Sequence, residues 1–271
     1  RAAIDRTVTS GAARLLAARL ARPMLDPAAI ERRLDAVQWF VERREARERA
    51  RRILKGSGDA ARALSRLALG RGGPRDLGAL KGALGCGAEL AALIGPEHAL
   101  LDGAPEEIKG AAEALTPDRH PALAEYLHRL AEGLGPELPT LARDGGFVAE
   151  GVSPELEQAR ALRDDSRKVV IALEQRLAAE SGVAVRIKHN AVLGYFIDAT
   201  AKQAEPLMAP PLNALFIHRQ TLANQVRFTT VELAELDAKI AQAAERALAI
   251  EVETFEAWRA AAVETAAALQ A

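Results

Sequence analysis

The sequence holds one cysteine, Cys86, in 271 residues. A single thiol excludes an internal disulfide and any multi-thiolate zinc site, and it fits a reducing, cytoplasmic setting. Aromatic residues make up only 4% of the chain, while Ala, Leu, Arg and Glu dominate. That balance favours helix over sheet. No apolar run approaches the roughly 18 residues that a membrane span needs, so no membrane partner is expected. The opening residues do not read as a signal peptide. Because the formal net charge is −1, total charge names no partner, and any nucleic-acid signal must come from the distribution of charge. Arg1 is not a natural start, which predicts an internal fragment of a longer protein.

Catalytic patterns are equally scarce. The five histidines, His98, His120, His128, His189 and His218, show no metal-ligand spacing such as HExxH. Cys86 sits in LGCGAEL without a base nearby in sequence and reads as a buried inert thiol. The abundant carboxylates lie on arginine-rich helices and read as solvated surface. Gly70 to Asp76, GRGGPRD, lacks the Gly-Lys-Ser/Thr ending of a phosphate loop and no strand precedes it, so it reads as a turn between crossing helices. No catalytic, metal or cofactor residue is assigned, and this fragment is not expected to be an enzyme.

What the chain does contain, at 49% hydrophobic residues, is apolar material for a core. Residues 1–152 read as an irregular stack of helices forming a helical core domain. Leu15, Leu16 and Leu20 mark one apolar face. Asp26-Pro27 pairs an N-cap with a first-turn proline, and Ile30, Leu34, Val37 and Val41 follow at helical steps. Ser153-Pro154 opens a long helix over 153–182 by the same logic, with Leu162, Ser166, Val169, Leu173 and Leu177 recurring along it. A β-prone island fills 183–229. Val183, Val185 and Ile187 alternate with polar residues, and Asn190 to Gly194 marks a hairpin turn. Pro206, Pro210 and Pro211 read as a loop leading to a strand at Leu215–Ile217, and Gln225–Thr229 supplies a fourth strand. The expected sheet core is Val185, Ile187, Tyr195, Ile197, Leu215 and Ile217. Thr229 and Glu232 suggest a capping box, after which 230–271 reads as a returning helix. Its Leu233, Leu236, Ile240, Ala243, Ala247 and Ile250 form a coiled-coil-like seam, and Phe255 and Trp258 are expected to be buried in the helical body. The fold class is therefore mainly α. Two long antiparallel helices of roughly 40 Å, at about 1.5 Å per residue, carry a small antiparallel sheet at their tip.

Chemistry concentrates in that island. Arg186, Lys188, Lys202, Arg219 and Arg227 stand against Asp198 and Glu205, a net charge of +3. Asn190, Gln220, Thr221, Asn224 and Gln225 lie among them. Cations with amides and hydroxyls suit phosphate contact without base reading. Composition leaves two alternatives open: an ordinary polar surface, and a structural scaffold whose β tip binds another protein.

The runs IKHNAVLGYFIDAT and FIHRQTLANQVRFTTVELAELDAKI resemble the clamp and returning lever of the MutS family of bacterial DNA mismatch-recognition proteins, in the form of its alphaproteobacterial branch. Upstream, IDRTVTSGAARLLAARLARPMLDPAAIERRLDAV, LSRLALGRGGPRDLGAL and RDGGFVAEGVSPELEQAR resemble the family's core and lever domains. The resemblance covers essentially the whole chain. It implies a core, levers and a clamp that holds the double-stranded DNA backbone without reading sequence. It also implies that the parent protein is a DNA-dependent ATPase using ATP and Mg, with a second MutS subunit and MutL as partners. The fragment itself is expected to be monomeric and without a cofactor. Carried over residue by residue, the DNA-facing positions are Asn190, Val192 and Leu193 at the first turn and Arg219, Asn224 and Gln225 around the later one. Charge adds Lys188 and Arg186. Ala223 stands where many relatives have lysine, which removes one phosphate contact.

Overall fold

The computed structural model describes residues 3–94, 103–116 and 119–270, so His98 lies outside the described residues. In chain order the elements are α1 (Ser10–Ala21), α2 (Pro27–Glu42), α3 (Arg44–Lys55), α4 (Ala60–Ala68), α5 (Pro74–Ile94), α6 (Glu106–Ala114), α7 (Pro121–Gly133) and α8 (Pro154–Ser181). These are followed by β1 (Arg186–Asn190), β2 (Gly194–Thr200), α9 (Ala201–Leu207), β3 (Ile217–Thr221), β4 (Gln225–Thr229), α10 (Val231–Glu264) and α11 (Ala266–Gln270). The fold is mainly α with one small four-stranded antiparallel sheet. Two compact units divide it: Arg1–Val152 with Glu251–Ala271, and Ser153–Ile250.

In the helical unit, side-chain caps start the helices where the sequence places them. Asp26 accepts from the Ala28 amide ahead of Pro27, and Asp59 accepts from that of Arg62. Leu64 and Leu67 of α4, Leu77 and Leu80 of α5 and Leu130 of α7 are buried. The end of α10 joins this core. Phe255 meets Phe147 edge-on at 6.2 Å, the Tyr126 hydroxyl donates to the Trp258 carbonyl at 3.2 Å, and Glu251 accepts the Phe147 amide. Phe255 and Trp258 are therefore buried as the sequence suggested. The apolar stripes of the first two helices behave differently. Helix α1 buries none of its residues, and Ile30, Leu34, Val37 and Val41 of α2 are exposed. Helix α2 instead turns Trp39 inward, edge-on to Phe40 at 4.9 Å and beside Ala46, Ala104 and Ile108. One indole removes more apolar area from water than a single aliphatic side chain does.

Asp59 ties α1 to α4. Its carboxylate accepts from Arg14 at 2.6 and 2.8 Å and from Ser10 at 2.8 Å. The Arg14 guanidinium holds this carboxyl well below its usual range. A depressed folded-state pKa stabilises the fold fully above the unfolded value, near 3.8, and the effect is lost as pH falls below it. Asp59→Asn is accordingly expected to unfold more easily than the wild type at pH 7, with the difference narrowing as pH falls below about 4. Urea midpoints taken across that range check it.

The second unit is built on α8 and the part of α10 up to Ile250, which run antiparallel: Glu155 pairs with Arg246, and Arg176 with Glu232. Ser153 caps α8 through the Leu156 amide. Helix α10 is capped by Thr230, whose hydroxyl accepts from Leu233, one residue later than the suggested Thr229. Leu233, Ile240, Ala243, Ala247 and Ile250 of the seam are buried and Leu236 is half-buried. On α8, Leu162 and Val169 are exposed, and Leu156, Ala159 and Val170 are buried with Ser166, Leu173 and Leu177.

The sheet order is β1-β2-β4-β3, all pairs antiparallel. One face packs Ile197, Ala199, Val226 and Phe228 against Leu173 and Leu177 of α8, Leu233 and Ile240 of α10, and Ala204 and Leu207 of α9. Leu215 and Ile217, expected in this core, are 38% and 45% exposed, and Phe216 occupies the interior instead. Of the stretch read as a proline loop, Pro210 and Pro211 lie in the connection to β3, while Pro206 lies in helix α9. Thr200 and Gln203 cap it reciprocally, and Pro206 is tolerated within it.

Candidate nucleic-acid interface

The eight positions singled out from sequence fall into three groups. The first is the β1–β2 turn. Asn190 Oδ1 accepts from the amides of Val192 at 2.9 Å and Leu193 at 2.8 Å, so the side chain closes its own turn. Val192 is 90% exposed at the apex. Gly194 ends the turn at φ +69°, a left-handed conformation that glycine adopts without a Cβ penalty.

The second group surrounds the β3–β4 turn. His218 pairs with Phe228 and Gln220 with Arg227, which leaves Arg219 as the extra residue of a bulge. A bulge bends the strand and re-aims the inserted side chain. Arg219 is exposed, and among the described residues it makes no ion pair. Asn224 is exposed and Gln225 half-buried, and the Leu222 amide closes the turn on the Gln225 carbonyl at 2.7 Å. The strand register keeps the two groups apart. Gly194 opposes Asn190 at one end of β2, and Gln225 opposes Thr200 at the other. At about 3.3 Å per residue the turns lie about 20 Å apart.

The third group lies between them and is already engaged. Lys188 Nζ is 2.6 Å from Asp198 Oδ2, and Arg186 is 3.2 Å from Glu174, whose other oxygen accepts the Ile187 amide. Sequence reasoning set these cations against Asp198 in the charge balance but assigned neither its acidic partner, and Glu174 of α8 lay outside that count. Arg227, counted among the island's cations but given no site role, stacks 4.5 Å over Phe196, donates to Gln220 at 3.0 Å and faces buried Asp198 across 4.0 Å. That last separation exceeds a hydrogen bond, so Asp198 Oδ1 and Arg227 Nε are buried without one. The cross-strand register was the available signal: residues 186, 198 and 227 stand side by side.

No group of three or more His, Cys, Asp or Glu among the described residues is arranged to hold a metal. Cys86 is half-buried, its thiol donates to the Ile53 carbonyl at 3.2 Å, and burial raises its pKa. At the glycine loop 70–76 the Gly73 amide donates to Asp76 at 3.0 Å, and Gly73 lies close against the Thr140 backbone carbonyl. No described helix is long and apolar enough to cross a membrane.

An α-helical unit joined to a pair of antiparallel helices with a small sheet between them in sequence defines the class. The profile of the family described as MutS domain III matches residues 2–271, and the chain belongs to that family. It is 66% identical over 269 residues to the DNA mismatch repair protein MutS of Caulobacter sp. (strain K31), covering 99% of this chain and 30% of that protein. It is 50% identical over 264 residues to the protein of the same name from Azorhizobium caulinodans, covering 97% of this chain and 27% of the relative. The chain thus spans about a third or less of the curated relatives it matches.

Proposed function

We propose that this chain is the part of a DNA mismatch repair protein that holds duplex DNA by its backbone. The sheet of the second unit makes the contact, and α8 and α10 link it to an ATPase carried elsewhere in the whole protein. What supports the reading is the β3–β4 turn, where a bulge presents Arg219 with no acidic partner among the described residues, beside exposed Asn224. A free guanidinium with neighbouring amides suits phosphate oxygens and carries no base information. The ATP and Mg chemistry, a second subunit, MutL as partner and a cytoplasmic location are proposals for the whole protein. At this chain's glycine loop the Gly73 amide is already engaged by Asp76, so it offers that donor to no nucleotide phosphate.

The test is fluorescence anisotropy of a labelled duplex of about 30 base pairs, matched or singly mismatched, with the whole protein across a salt series. Arg219→Ala is expected to weaken both duplexes by the same factor and to reduce the salt slope by about one. Lys188→Ala is expected to do less, because Asp198 already neutralises that ammonium. A loss confined to the mismatched duplex would sink the backbone assignment. The exposed Val192, Leu215, Ile217 and Leu222 favour a second reading, a protein partner for the sheet. In that case affinity barely responds to salt.

A further inference from the structure

The β2–β4 ladder begins at Ile197 opposite Phe228. Two residues further toward the turn, Tyr195 is still paired with His189 of β1 but its amide finds no partner on the β4 side, because the opposing chain has already left β4 for α10. Asp237, two helical turns into α10, supplies the acceptor: its Oδ1 takes the Tyr195 N–H at 3.1 Å. The same carboxylate closes over Gly194. A Cβ there would meet Asp237 Oδ2 at 2.2 Å and Cγ at 2.8 Å. Glycine is thus required at 194 twice, by its positive φ and by the approach of this side chain. Asp237 is half-buried, and no cation among the described residues pairs with it. A partly desolvated carboxylate without a counter-ion costs free energy, and this one adds negative charge beside a turn read as facing phosphate.

We propose that Asp237 is a positioning residue: it fastens the Asn190–Gly194 turn to α10 and sets the direction in which Asn190, Val192 and Leu193 meet the DNA backbone. The inference rests on the reading of this sheet as a DNA contact. The turn is already stiffened from within by Asn190, so fastening its base fixes it as one piece. A shift of the first turns of α10 then carries the turn with it.

Charge and position predict opposite signs, which makes the idea testable. Removing a negative charge near DNA by itself tightens binding. Losing the fastening weakens it. In the whole protein, measured by duplex anisotropy at low salt, Asp237→Ala is expected to bind about fivefold more weakly, with the salt slope unchanged. Asp237→Asn keeps an oxygen acceptor and is expected to bind at least as tightly as the wild type. Hydrogen exchange at the Tyr195 amide is expected to accelerate in Asp237→Ala and not in Asp237→Asn. Gly194→Ala, which pushes a methyl group into the carboxylate from the turn side, is expected to reproduce the Asp237→Ala loss. If Asp237→Ala binds as tightly as the wild type or tighter while Arg219→Ala still weakens binding, the fastening role is wrong and the DNA reading stands. Equal losses in Asp237→Ala and Asp237→Asn overturn it as well. If neither Arg219→Ala nor Asp237→Ala changes binding, the DNA reading itself fails.

Discussion

Phe228→Ala is expected to unfold the sheet of the second unit under conditions where the helical unit stays intact. Phe228 is 0% exposed, on a strand flanked by β2 and β3. Its ring meets Phe216 edge-on at 6.3 Å and His218 at 6.1 Å, and it belongs to the cluster that also contains Leu173, Leu177, Leu233 and Ile240. Truncating a buried phenylalanine costs about 3–5 kcal/mol, through lost transfer energy plus the cavity left behind. A domain is stable by only about 5–15 kcal/mol in total. The sheet side of this cluster is small, so few contacts remain to compensate. Hydrogen exchange read by mass spectrometry checks it: amides of 186–229 should lose protection while those of 60–90 keep theirs. Loss of protection in both regions together would show that the two units unfold as one.

The helical unit has its own sensitive position. A Cβ at Gly73 would stand 1.9 Å from the Thr140 carbonyl oxygen and 3.0 Å from its carbon. Both are backbone atoms, so no side-chain rotation relieves the contact. The two segments are also pinned nearby, since Gly73 donates to Asp76, Asp76 pairs with Arg66, and Arg75 donates to the Leu138 carbonyl at 2.9 Å. Gly73→Ala is therefore expected to destabilise by about 3 kcal/mol, at the upper end of overpacking costs. Gly78→Ala is the comparison. Its Cβ would meet Leu138 Cδ1 at 2.4 Å, but that atom ends a flexible side chain, so its cost should be about 1 kcal/mol. Thermal midpoints of the two variants side by side test the difference, and equal midpoints would contradict it.

Much of the scaffold is legible in local sequence because local physics fixes it. An N-cap residue followed by proline starts α2 and α8, and apolar residues at steps of three and four mark the buried seam of α10. The glycine that ends the first hairpin is visible too, since the turn needs φ above zero. Tertiary competition is what the pattern cannot show. Trp39 claims the inward face of α2 and leaves four aliphatic residues in solvent. Helix α9 was hidden behind Pro206, although the Thr200 and Gln203 spacing was a readable cap. The site shows the same limit. Charge alone marks Lys188 and Arg186 as candidates, but only the tertiary contacts show Asp198 and Glu174 taking their charge. The bulge at Arg219 and the reach of Asp237 to Tyr195 join residues far apart in pairing or in sequence.

The length of β2, from Gly194 to Thr200, also sets a ruler. Its two hairpin ends are about 20 Å apart, and successive phosphates of one duplex strand advance by about 3.4 Å along the axis. If the sheet holds the duplex as proposed and lies along it, it straddles about six nucleotides, with Asn190 at one limit and Asn224 at the other. On that proposal the two ends together measure length, and oligonucleotides too short to span the interval are expected to lose the gain in effective concentration that comes from gripping at two points.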